Sequence, residues 1–259
     1  MLQRHAAWIA TPLVLIALIG IWEAYVVVFD VSPFILPSPF AVADSVVSLL
    51  SDPRTWNHTM VTLIEIICGF VIAVVIGIVL GGALGKIAWL ESALNPLIVG
   101  LQVMPKVALI PLFIVWFGFG LTSKIVLAAV IAFFPIMTNT ILGIKSVERG
   151  HRDVMLALNA SRWQTFRDVE LPSALPFILT GMEVGIVLAT IGAIVGEYLG
   201  GSLGLGYMAV ATLNAFDVQA MFGVIMILTF LGLVLYFLVV LLRRYLTPWH
   251  EAVAGRDTH

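Results

Sequence analysis

The chain has 259 residues, 61% of them hydrophobic and 11% charged, with a formal net charge of −2. A soluble domain is about one quarter charged, so this composition excludes a soluble globule and points to an integral membrane protein. The slight acidity argues against a nucleic-acid partner, and the single cysteine, Cys68, set in an apolar run, reads as a small hydrophobe with no internal disulfide to form.

The hydropathy pattern predicts an all-α membrane protein, one domain over 1–259, with six spans at about 8–29, 60–84, 97–117, 124–143, 175–198 and 220–242. The first run is longer than a signal-peptide core and no Ala-x-Ala site follows it, so it is expected to stay as a helix, with Glu23 near its outer interface. A polar interval to Asn57 holds Pro33, Pro37, Pro39 and Pro53, and residues 41–50 read as a short surface helix opened by Pro39. In the second span Gly69, Ala73, Gly77, Gly81 and Gly85 fall four apart, a small-residue stripe that lets another helix approach closely. Glu65 lies one step up that stripe, where it either pairs with a buried cation or reaches the interface.

The third span carries Met104, Pro105, Lys106 and Pro111. Each proline removes a backbone donor, which is expected to leave the Leu101 and Val107 carbonyls without their usual partners. A broken helix is tolerated at membrane depth only against protein or a wet cavity, so this segment is a candidate for the translocation pathway. Lys106 reads as the one cation deep inside a span, either a functional group or a snorkelling side chain at a packed break. The fourth span is expected to start at Lys124 after a tight loop, and contains Asn139 and Thr140. In the fifth, Gly181, Gly185, Ala189, Ala193 and Glu197 form a second four-residue stripe, ahead of the glycine-rich segment 200–206. Two bare stripes read as surface to spare for dimerisation.

Between the fourth and fifth spans, residues 149–172 (RGHRDVMLALNASRWQTFRDVELP) form a charged island with four of the 13 basic residues. Val154, Leu158, Phe166 and Val169 recur at helical spacing, and Asn159-Ala160-Ser161 supplies a turn, because Asn tolerates left-handed backbone angles. Ten basic residues (Arg4, Lys86, Lys145, Arg149, Arg152, Arg162, Arg167, Arg243, Arg244, Arg256) fall on the side of this island. Only Arg54 and Lys124 fall opposite, with Lys106 buried. The positive-inside rule therefore assigns the island and both termini to the cytoplasm.

No nucleotide-binding loop is present, since Leu80 and Ile87 stand where Gly and Ser or Thr would flank Gly85-Lys86. The glycines at 200–206 lack a following Lys-Ser/Thr as well. Neither a metal cluster nor a nucleophile with its base occurs inside the spans, and all five histidines lie outside them, which disfavours a membrane enzyme.

The island resembles the EAA loop of bacterial ABC importer permeases, with Asp153-Val154-Met155 for the acidic triplet, Asn159 for the turn glycine and Val169-Glu170-Leu171-Pro172 for the close. Residues 160–166 are similar to a form common in permeases of the taurine, sulfonate, nitrate and pyrimidine-precursor group, and so are Pro105 to Phe113. The resemblance implies a type I importer permease, in which Asp153, Ala157, Asn159, Ala160, Ser161, Arg162, Trp163 and Arg167 form the docking helix for two ATPase subunits. ATP and magnesium then bind on that partner chain, with no cofactor in this one. It further implies a second copy of the chain, a periplasmic or lipoprotein solute-binding protein, and a small solute of sulfonate, nitrate, bicarbonate or vitamin-precursor type. Glu65 and the wording around Lys106 lean toward the heterocycles. Glu65 and Glu197 are counted with Met104, Pro105, Lys106 and Pro111 as candidates for the translocation pathway, and the rival reading is a secondary transporter using Lys106, Glu65 or Glu197 as a proton relay on an ion gradient.

Overall fold

A computed structural model describes residues 2–249; Met1, residues 250–259 and the side chains of residues 2–9 and Arg149 lie outside the description. Arg4, Arg149 and Arg256 of the orientation argument are therefore not located by their side chains. Among the described residues all regular structure is helical, and five helices plus one bent pair are long and apolar enough to cross a membrane.

The first helix, α1 (Leu2–Val28), stands at the periphery with no residue of its apolar stretch Ala10–Val28 fully buried, as suits a helix facing lipid. Its Trp22 ring packs 6.2 Å from Phe222. The short surface helix α2 (Pro39–Ser51) is capped by Ser38, whose hydroxyl accepts from the Ala41 amide. It packs on α11 (Val218–Leu246), where Gly223 admits Ser45 and Leu49 and Gln219 donates to the Ala41 carbonyl at 2.8 Å.

Helix α3 (Pro53–Lys86) begins earlier than expected because Asp52 caps it and Pro53 fits its first turn. Its 34 residues span roughly 50 Å at 1.5 Å per residue, more than a hydrocarbon core needs, so its ends stand clear of the lipid tails. The centre of the fold is α6 (Leu121–Lys145), held between α3 and α9 (Leu171–Gly200). From one side Gly69 would bring a Cβ within 2.6 Å of Ala128, Gly81 within 2.7 Å of the Met137 carbonyl and Gly85 within 2.9 Å of Ile144. From the other, Gly181 meets Asn139, Gly185 meets Ile136 and Gly192 meets Ala128, all inside 3 Å. In lipid such close backbone approach replaces the missing hydrophobic drive. Both stripes are thus consumed inside one chain against one helix, which removes the expectation that they were left over for a dimer.

The predicted third span is sharper in form than expected. Helix α4 (Ala88–Val103) and a short 3-10 turn (Lys106–Leu109) leading into α5 (Ile110–Phe117) meet at 84° across Met104-Pro105. Pro111 lies in the first turn of α5, where an amide would have no helical partner anyway, so it starts a helix and does not break one. The Val107 carbonyl, expected to be orphaned, accepts from the Ile110 amide.

The charged island is a hairpin. Helix α7 (Arg149–Ala157) ends at Asn159, which adopts the left-handed conformation at φ 50°, and α8 (Arg162–Thr165) runs through a π-helical stretch (Phe166–Glu170) into α9. The second arm is therefore no separate helix. Residues Arg162–Gly200 form one 39-residue rod from hairpin tip to far membrane face. Beyond α9, a turn with Gly204 at φ 111° opens α10 (Leu205–Asn214), an element the sequence pattern did not separate from its glycine-rich surroundings.

Candidate functional site

The hairpin presents its tip to solvent. Asp153, Ala157, Asn159, Ser161, Arg162, Trp163 and Arg167 are exposed and Ala160 is half-buried. Apolar side chains join them: Leu156 and Leu158 are about 70% exposed although they lie beyond the membrane helices. Large apolar side chains left exposed among charges outside the membrane helices are the usual sign of a protein interaction site. Ser161 has a second duty, since its hydroxyl accepts from the Gln164 amide while Gln164 Oε1 accepts from the Ser161 amide at 2.7 Å, a reciprocal capping box that starts α8.

The base of the hairpin is tied to the membrane helices. Glu170, largely enclosed, pairs with Lys86 at the end of α3 at 2.7 Å and with Arg152 of α7 at 3.6 Å. Lys86 Nζ also lies 4.3 Å from the centre of the Phe166 ring. Arg152 in turn donates to the Ile144 carbonyl at the end of α6 at 3.2 Å. Glu91 and Lys145 join the start of α4 to the same end of α6. The hairpin is thus joined to α3 and α6 by polar contacts as well as to α9 by the chain itself.

At the opposite end of the bundle, Glu65 of α3, Lys124 of α6 and Glu197 of α9 meet in a closed polar cluster, 0%, 4% and 0% exposed. Lys124 Nζ donates to Glu65 Oε1 at 2.9 Å and to the Leu203 carbonyl at 3.1 Å. Thr62 donates to Glu197 Oε1 at 2.6 Å while its oxygen accepts from the Leu205 amide. The Gly206 amide donates to Glu197 Oε2, and the Gly204 amide to His58 Nδ1 at 3.0 Å. Gly204 is required twice over, because its φ is left-handed and a Cβ there would strike the Glu197 carboxyl.

This settles the choice left open for Glu65: it pairs with a buried cation. That cation is Lys124, which lies at the end of the bundle opposite the hairpin, as the count of basic residues had it, but is enclosed by protein. Lys106, the cation expected deep in a span, is less enclosed than Lys124. Lys106 is half-buried beside the α4–α5 break, donates to the Gln102 carbonyl at 2.9 Å and lies 4.9 Å from the Phe134 ring centre. Met104, Pro105 and Pro111 are exposed around it. Glu65 and Glu197 are enclosed with Lys124, whereas Lys106 faces a separate groove between α4, α6 and α9.

Apolar helices of crossing length around a broken span, with a charged hairpin rooted in three of them, define a multi-pass membrane transport component. The model of the family described as "Binding-protein-dependent transport system inner membrane component" matches residues 73–250, and the chain belongs to that family. It is 41% identical over 241 residues to the riboflavin transport system permease protein RibX of Chloroflexus aurantiacus, covering 93% of this chain and 90% of that one. It is 35% identical over 250 residues to the formylaminopyrimidine transport permease protein ThiX of Halalkalibacterium halodurans, covering 96% and 99%. The fold is similar to that of a chain of the MetNI methionine ABC transporter, solved in inward-facing conformations, with a TM-score of 0.60 at 23% identity over 77% of this chain and 96% of that one. The protein is a permease subunit of an ABC importer, lodged in the inner membrane.

Proposed function

We propose that this permease passes a small planar heterocycle into the cytoplasm when a pair of ATPase subunits grips the 149–172 hairpin. The solute arrives from a binding protein on the outer side, and ATP and magnesium are held by the ATPases. Two copies of the chain form the route, with the α4–α5 break carrying Met104, Pro105, Lys106 and Pro111 along its wall. The heterocycle class is supported by the riboflavin and formylaminopyrimidine transport named for the two relatives. The cytoplasmic orientation of the hairpin rests on the excess of basic residues on its side.

The observation that carries the reading is mechanical: an exposed apolar tip is continuous with a membrane-crossing rod and salt-bridged at its base to α3. A gripped tip moves the spans. Leu156→Asp tests this, because it leaves the capping box at Ser161 intact. The ATPase recovered with the permease from cells making the whole system should fall about tenfold, as losing roughly 1.4 kcal/mol of contact requires. Undiminished recovery would place the docking surface elsewhere.

A further inference from the structure

Beside Lys106 the chain carries a groove of mixed polarity, about 450 Å³, between α4, α6 and α9, within the range of roughly 300–1,000 Å³ typical of small-molecule sites. Four polar side chains converge there: Gln102, Lys106, Thr138 and Asn139. Thr138 and Asn139 lie inside α6, a membrane-crossing helix, where polar groups turned toward lipid are costly and so face protein or water. Their mutual bonds use only part of their capacity. Gln102 Nε2 donates to Thr138 at 3.3 Å, Asn139 Nδ2 donates to the Pro135 carbonyl at 2.9 Å, and Lys106 spends one of its three hydrogens on Gln102. Pro135, lacking an amide, also frees the carbonyl of Ile131, another residue of the groove wall.

Resting on the importer reading above, we propose that this groove is a solute-contacting subsite in the permease itself, built for a flat heterocycle with both hydrogen-bond donors and acceptors on its edge. The Phe134 ring supplies a face to stack on. Lys106 and Thr138 donate to ring carbonyls or nitrogens, and the oxygens of Asn139 and Ile131 accept from ring N–H groups. A sulfonate or nitrate, whose oxygens only accept, can use these donors but leaves the oxygens of Asn139 and Ile131 unmatched, whereas a heterocycle with ring N–H groups uses both kinds. The neighbouring cavity of about 410 Å³ shares Lys106 and Phe134 but is otherwise apolar, lined by residues such as Ile72, Met104 and Val130. It serves as the control.

The test uses the complete importer in proteoliposomes, with Cys68, the chain's single and exposed cysteine, changed to Ser. In that background Thr138→Cys or Val130→Cys is labelled with a water-soluble maleimide in the presence of riboflavin or taurine. Thr138→Cys should react, and riboflavin at a few times its dissociation constant should slow the reaction about threefold or more, as mass action gives. Taurine should not slow it, Val130→Cys should be unaffected, and adding Phe134→Leu should abolish the protection. A Thr138→Cys that never reacts, equal protection by taurine, or no protection by riboflavin overturns the subsite. Receptor-stimulated ATP hydrolysis, read on the same vesicles, separates the two claims: if it is present while protection is absent, the subsite fails and the importer stands; if it is absent, both fail.

Discussion

At the scale of single residues, the Glu65–Lys124–Glu197 cluster follows from where the two glycine stripes meet. Gly69 and Gly192 both close on Ala128 of α6. One turn outward from these positions stand Glu65 on α3, Lys124 on α6 and, next to Gly196, Glu197 on α9. Each stripe was visible in the sequence, and so was the carboxylate at its end. What the sequence did not reveal was that both stripes face the same helix, and with that fact Lys124 would have been identified as the shared partner. Removing one member of a buried ion pair leaves a stranded charge, at a cost of roughly 3–5 kcal/mol. Lys124→Ala should therefore lower the unfolding midpoint of the purified permease in detergent markedly. The pair Glu65→Ala with Lys124→Ala should lose less than the two single changes combined, which a double-mutant cycle reads directly. Additive losses would mean that the two side chains act independently.

At the scale of elements, the hairpin was legible because a charged, helically periodic stretch between apolar blocks has few other solutions, and Asn159 takes the left-handed turn expected of it. Two features were hidden. The merger of α8 with α9 depends on a π-helical stretch that no residue pattern announces, and the Glu170–Lys86 bridge joins residues 84 positions apart. The 84° break was anticipated near Pro105, but Pro111 proved to begin a helix, since proline fits a first turn as well as it disrupts an interior. From the bridge it follows that Glu170→Gln weakens the joint between hairpin and α3 while the tip stays intact. ATPase should still co-purify, whereas solute uptake per ATP hydrolysed should drop; an unchanged ratio would show that α9 alone carries the motion. The packing of α3 on α6 predicts in addition that Gly77→Leu, whose side chain meets Ile136, prevents assembly of the bundle. Loss of the folded protein from membranes, followed by protease sensitivity, checks this.

At the scale of the whole molecule, the described residues hold five helices of crossing length and one broken pair, and the central one, α6, is gripped from both sides, with charge locks at each end. The cluster of Glu65, Lys124 and Glu197 fastens the glycine-rich turn at one end, and Glu170, Lys86 and Arg152 fasten the hairpin at the other. That the chain holds about six apolar helical segments was readable from hydropathy, because membrane length and backbone satisfaction leave little choice; their starts were not, since α3 and the broken pair both begin earlier than expected. The relative arrangement of those spans was not, since a stripe specifies that a close neighbour exists without saying which one.

The central claim is that this chain moves its solute only when a separate motor pulls its hairpin. Uptake of labelled riboflavin into proteoliposomes measures it most directly, comparing the chain alone under an imposed proton gradient with the chain joined by its ATPase and receptor plus ATP. The account predicts no uptake in the first case and ATP-dependent uptake in the second; gradient-driven uptake by the isolated chain would contradict it.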